Sequence, residues 1–162
     1  MVGSFRAKIY GAFGAVLLIA LFLMWLWQPG HQIRKHTDNL LTAVAGKDWA
    51  RFADFLSDDY HDQWNNDRAQ ALEKTREVFR YLRDVHITEI TPGVRVGDRT
   101  GYWNGRILID GDSTEIMAMI KERINNLSAP FELEWRRQSA KPWDWKLVAV
   151  RNEKLEIPNE PF

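Results

Sequence analysis

Hydrophobic and polar positions divide this chain into three stretches of different period. From Ile9 to Trp27 there is no period at all: IYGAFGAVLLIALFLMWLW runs nineteen residues without a charge. A bilayer core of roughly 30 Å takes about 20 apolar residues of helix, so this length predicts a membrane span over about residues 9–27. Trp25 and Trp27 at one end, and Tyr10 at the other, suit the headgroup region, where amphipathic rings settle. Pro29-Gly30 then breaks the helix.

Beyond the break the period becomes three to four. Ile33, Leu40, Leu41 and Val44 predict a first helix with Gly46 just past its end as C′. Asp48 caps a short second helix striped by Trp49, Phe52, Ala53 and Leu56. The connection Asp58–Asp67 leads to a third helix, capped by Asn66 and running to about Arg83, buried through Ala69, Leu72, Phe79 and Leu82. From Val85 the period is two, which predicts five strands. The first holds Val85, Ile87 and Ile90 and is interrupted at Pro92-Gly93. The second, about 100–109, turns at Asp110-Gly111-Asp112 into a third, about 114–124. The fourth puts Phe131, Leu133 and Trp135 on one face and Glu132, Glu134 and Arg136 on the other. The fifth alternates Trp143, Trp145, Leu147 and Ala149. Helices followed by hairpin-linked strands predict an α+β domain with helices on one face of a curved antiparallel sheet.

With 162 residues there is room for one such domain. The division expected is a tail and anchor over residues 1–30, and a domain over 31–162 with a loose tail from about 152, where Pro158 and Pro161 fall. A cleaved secretory signal is disfavoured, because Trp-Leu-Trp-Gln-Pro-Gly lacks the small residues a signal peptidase needs. Arg6 and Lys8 before the span, against Arg34 and Lys35 after it, lean toward a cytoplasmic N-terminus and an extracytoplasmic, periplasmic-side domain. Gly11 and Ala15 have the spacing of a helix-pairing motif that is common by chance.

Charge narrows the partners. The first 30 residues hold Arg6, Lys8 and no acid, leaving 20 basic and 22 acidic residues beyond them. That balance supplies no field for a phosphate backbone, so nucleic acid is not an expected partner. Cysteine is absent, which excludes disulfides, thiol catalysis and Cys-based zinc sites.

Two stretches, LLTAVAGKDWARFADFLSDDY from Leu40 to Tyr60 and PWDWKLVAV from Pro142 to Val150, resemble the opening helices and closing strand of NTF2-like (SnoaL-like) domains. The resemblance covers roughly residues 32–152 and rests on scaffold residues. It implies a cone in which about three helices and a curved antiparallel sheet enclose a pocket. It also implies either isomerase-, cyclase- or dehydratase-type activity through a pocket Asp, His or Tyr, or non-catalytic binding of proteins or small molecules. Oligomers through the outer sheet face are a further implication.

Candidate chemistry is sparse. His86 is the best single general base if the sheet curls to turn it inward; Tyr60 and His61 are the other acid–base candidates, although Asp59-Tyr60-His61-Asp62 reads first as a polar connection. His31 and His36 sit beside the membrane with Arg34 and Lys35 and read as interfacial. No HExxH motif exists, Asp110–Glu115 lacks the glycine and remaining ligands of a calcium loop, and no metal or cofactor is expected. Glu132 and Glu134 read as a solvated face. Six tryptophans fall beyond the anchor; Trp64, Trp103 and Trp135 are expected to line the pocket or fill it. Asn126-Leu127-Ser128 is a glycosylation acceptor only in a eukaryotic secretory setting. The expectation is therefore a membrane-tethered, non-catalytic domain that recruits or assembles with proteins or copies of itself at the cell envelope. The alternatives are an isomerase- or hydrolase-type enzyme acting on a hydrophobic small molecule, or a module binding a lipid or small hydrophobic ligand.

Overall fold

The computed structural model describes residues 2–156, the side chains of residues 2–12 and of Ile116 excepted. Tyr10, Gly11, Pro158 and Pro161 thus lie outside the described side chains or residues. Helix α1 (Val2–Leu26) is followed after one turn by α2 (Pro29–Ala45), α3 (Trp49–Phe55) and α4 (Arg68–Arg80). Strands β1 (Leu82–Val96) and β2 (Thr100–Ser113) come next, then α5 (Glu115–Asn125), β3 (Phe131–Arg137) and β4 (Trp145–Arg151). The strands form one antiparallel sheet in the order β1-β2-β3-β4, and α2 packs across one face of it, against β1, β2 and β4.

Pro29 begins α2 where its missing N–H has no helical partner in any case. Among the described residues no single helix is long and apolar enough to cross a membrane. The stretch Phe13–Leu26 passes that test only jointly with α2, to which it is bent by 61°.

Ile33, Thr37, Leu40 and Val44, at helical spacing on α2, are buried against the sheet. Strand alternation supplies the other side: Trp103 and Ile109 from β2, Phe131, Leu133 and Trp135 from β3, Trp145, Leu147 and Ala149 from β4. Gly101 is needed for this closeness, since a Cβ there would meet the Ile33 side chain at 1.9 Å.

Four expectations change. The run Glu115–Asn125 is a helix, not a strand, because Met117, Ile120 and Ile124 recur at three-to-four spacing behind Thr114 at the N-cap and pack on the core; the sheet therefore has four strands instead of five. Asp110-Gly111-Asp112 is not a hairpin but the far end of β2, paired with Arg83 and His86 across a bulge. Asp84 takes φ 48° in that bulge and brings its neighbours so close that a Cβ on Gly111 would lie 2.6 Å from the Arg83 carbonyl. Gly46 keeps right-handed helical geometry, and Lys47 takes the left-handed position at φ 56°, with its Nζ donating to the Leu82 carbonyl at 2.7 Å. The third helix is capped by Asp67 instead of Asn66, and buries Ala71 and Phe79 while Ala69 is exposed. The interruption expected at Pro92-Gly93 is present as a second register shift, with Thr91 at φ 48°.

Asp67 and Gln70 form a reciprocal capping box. Asp67→Ala is expected to lower the unfolding free energy by about 1 kcal/mol, as for other lost N-caps, read from denaturant midpoints.

Candidate functional site

Helix α3 ends at Phe55, and the chain then runs alongside β4. Ser57 N–H donates to Leu147 O at 2.9 Å and His61 N–H to Val148 O at 3.0 Å. The Asp62 carboxylate organises the following turn, accepting from the backbone N–H groups of Trp64 and Asn66, both at 2.9 Å, and from the Asn66 amide. These bonds cover what would be a bare sheet edge. They also settle the roles within Asp59–Asp62. Tyr60 is buried with its hydroxyl 3.5 Å from Asp62. Burial first, then the Asp62 carboxylate beside it, raises its pKa well above the ordinary tyrosine range. His61 points to solvent beside Asn65, its ring nitrogen 3.3 Å from the amide oxygen.

His86 is exposed, its Nδ1 2.9 Å from the Asp84 carbonyl, while Val85 and Ile87 turn toward the core. It does not enter the cone, and the three acid–base candidates are not brought together. Trp64 lies outside the cone as well: its indole N–H donates to Leu155 O at 2.9 Å. With the buried Asn152 side chain, which accepts from the N–H groups of Lys154 and Leu155, it ties down the start of the C-terminal segment expected to be loose. Trp103 and Trp135 are inside, both with no exposed surface. Trp135 donates from its ring to Thr37 Oγ1 at 3.1 Å. They fill the cone beside Ile33, Leu133 and Leu147 instead of lining an open cavity.

Two arrangements were not foreseen. Glu89 shares the inward parity of Val85 and Ile87 on β1, and Arg34 and Asp38, one helical turn apart on α2, face it. The Asp38 carboxylate stands beside Glu89, where it favours the protonated form of that side chain. Burial, then Asp38, pushes the Glu89 pKa up to about 7 against the partial offset from Arg34. The indole N–H of Trp103 is turned toward Glu89 but closes no hydrogen bond. The visible signal was a carboxylate at a position that strand alternation reserves for an apolar side chain.

The second arrangement is a pocket of about 420 Å³ at the rim, where the β3–β4 connection meets α2 and α3. His36, Phe55, Trp143 and Trp145 give it aromatic walls, and Arg51, Asp54, Lys141, Asp144 and Lys146 give it charges of both signs. The His36 ring packs edge-on to Phe55 and Trp135, at 6.1 and 5.7 Å. Its Nδ1 donates to Gln32 O at 2.8 Å. Burial lowers its pKa, with the carbonyls of Gln32 and Trp143 pulling the other way. His36 is therefore a pocket wall, where proximity to the anchor had suggested an interfacial residue. The sheet face away from the core is charged as expected, with Glu132 and Glu134 tied to Arg95 and Arg151.

No family profile matches the chain, and no curated protein matches it in sequence. Solved structures do match in fold. An NTF2-like protein of Rhodospirillum rubrum is 21% identical at TM-score 0.54, over 74% of this chain and 95% of its own. An NTF2-like protein of Pseudomonas putida is 11% identical at TM-score 0.56, over 75% and 82%. Bd1075 of Bdellovibrio bacteriovorus is 5% identical at TM-score 0.56 over 74% of this chain, which spans only 38% of Bd1075. The domain has the NTF2-like fold.

Proposed function

We propose that the protein is a membrane-tethered, non-catalytic NTF2-like domain of the cell envelope, held by α1 and used for assembly with other proteins or copies of itself. The observation that carries this reading is α1. From Phe13 to Leu26 its apolar side chains are largely exposed, Phe13, Leu18 and Met24 by two-thirds or more, and the domain offers them no cover. In the sequence the uncharged run reaches back to Ile9, and nineteen such residues support a span, although the described part of the helix alone falls short of one. The plugged cone adds support, because a substrate needs room that Trp103 and Trp135 occupy.

Leu18→Lys, near the middle of the run, is expected to move the full chain from the alkali-resistant membrane fraction to the supernatant, since a charge there costs about 2.5–3.5 kcal/mol of insertion. Native chain that washes off membranes in alkaline carbonate would sink the tether. Sedimentation in detergent checks the assembly half; a strict monomer that captures no partner in envelope extracts would count against it.

A second reading follows from the rim pocket. Its volume and aromatic walls suit a small, partly apolar ligand. Mass spectrometry of the intact purified chain tests this, through a co-purified mass that Trp143→Ala removes.

A further inference from the structure

The fold gathers several separate segments at one end, beside the exit of α1. The sheet register sets that end: Val96, Thr100, Arg137 and Trp145 close the strands there. A Cβ on Gly30 at the start of α2 would lie 3.7 Å from Val96. Trp143, in the β3–β4 connection, packs against Trp27 at the end of α1, with ring centroids 6.1 Å apart. Trp25, Trp27 and Trp143 remain 51%, 41% and 50% exposed, although two of the three lie more than a hundred residues from the third. Around them Lys35, Arg99 and Lys141 are exposed cations, against the carboxylates Asp98 and Asp144. None of these five groups takes part in an ion pair among the described residues. Beyond residue 30 the chain carries an acidic excess, so this end runs against the balance of the rest.

We propose that this end is a second membrane contact: the β3–β4 connection and the β1–β2 turn dock on the surface of an anionic bilayer. The domain is thereby held against the lipid instead of swinging on its anchor. The inference rests on the tether proposed above. Once α1 enters the bilayer, Trp27 sits at the headgroup level and its contact sets Trp143 at the same depth, where amphipathic rings are favoured. The three cations then face lipid phosphates, and attraction to an anionic leaflet acts within a Debye length of the surface.

The absence of cysteine lets a single substitution carry a spin label. The full chain is reconstituted in vesicles with and without anionic lipid, labelled at Ala140→Cys in the β3–β4 connection or at Glu153→Cys beyond the opposite sheet end. A second label at Gln138→Cys guards against a local disturbance at residue 140. The expected result in anionic vesicles is a several-fold loss of collision with a water-soluble relaxing agent at 140 and 138, and none at 153. The loss should disappear in the Arg99→Glu/Lys141→Glu variant. It should also disappear on moving from ~0.1 to ~1 M salt, which shortens the screening length from about 10 to about 3 Å. Equal accessibility at 140, 138 and 153, in chain that survives an alkaline wash, overturns the docking and leaves the tether intact. Chain that washes off overturns both.

Discussion

Replacing Trp135 with alanine is expected to lower the unfolding free energy by about 3–5 kcal/mol, the range for truncating a large buried aromatic. Trp135 has no exposed surface, and its ring meets His36 and Phe55 edge-on, the latter at 6.3 Å. Such contacts add roughly 0.5–1.5 kcal/mol beyond area burial. Truncation also strips Thr37 Oγ1, itself buried, of its indole donor. Trp135→Phe separates the two effects: it keeps most of the volume, loses the N–H, and is expected to cost about 1–3 kcal/mol. Denaturant unfolding of both variants checks this. A loss below about 1 kcal/mol for the alanine variant would mean that the cone collapses easily around the gap, and that Trp135 is no plug. The result bears on function, because a domain that depends on this ring cannot also keep the interior open for a substrate.

The sequence made the scaffold readable and the site nearly invisible, and both outcomes have physical causes. Strand β3 was legible because Phe131, Leu133 and Trp135 alternate with charges over a strand that has one wet face. Helix α2 was legible because its buried residues keep helical spacing. Helix α5 was lost because Ile, Met and Ile scattered among Lys, Glu and Arg satisfy a period of two as readily as one of 3.6 over so short a run. The bulge at Asp84 is a tertiary feature, and without it Asp-Gly-Asp is a good hairpin turn. The inward side chains resisted reading for a different reason. His36 is a wall only because the β3–β4 connection folds back over it, and Asp38 meets Glu89 only because α2 crosses β1. No spacing along the chain encodes either meeting. His86 drew notice as the histidine of a strand, whereas the informative residue was its neighbour but two, on the face where a charge is costly.

That neighbour supports a prediction with a definite sign. In the unfolded chain Glu89 titrates near its ordinary 4.5; in the fold its pKa is pushed up to about 7 by burial and by Asp38. Below about pH 4.5 the carboxyl is protonated in both states, and its burial carries no charge. Between pH 4.5 and 7 the unfolded chain releases the proton while the folded one holds it, so stability falls across this window and levels off above it. Taken whole, such a shift is worth about 3.4 kcal/mol at 1.36 kcal/mol per pH unit. The carboxyl is only partly withdrawn from water, and screening reduces the effect to about 1–2 kcal/mol. Glu89→Gln keeps the shape and cannot ionise, so it should stabilise the domain by that amount at pH 8 and hardly at all at pH 4.5. Asp59, whose pKa is lowered by Ser57 and then Arg136, produces the opposite trend, with stability lost in acid. The quantity to measure is therefore the variant-minus-native difference at each pH, in which Asp59 cancels. Should that difference be the same at pH 4.5 and pH 8, Glu89 is a solvated carboxylate and the fold does not hold its proton. A difference that opens only between pH 5 and 7, and narrows without closing in Asp38→Asn, assigns part of the shift to Asp38 and the larger part to burial.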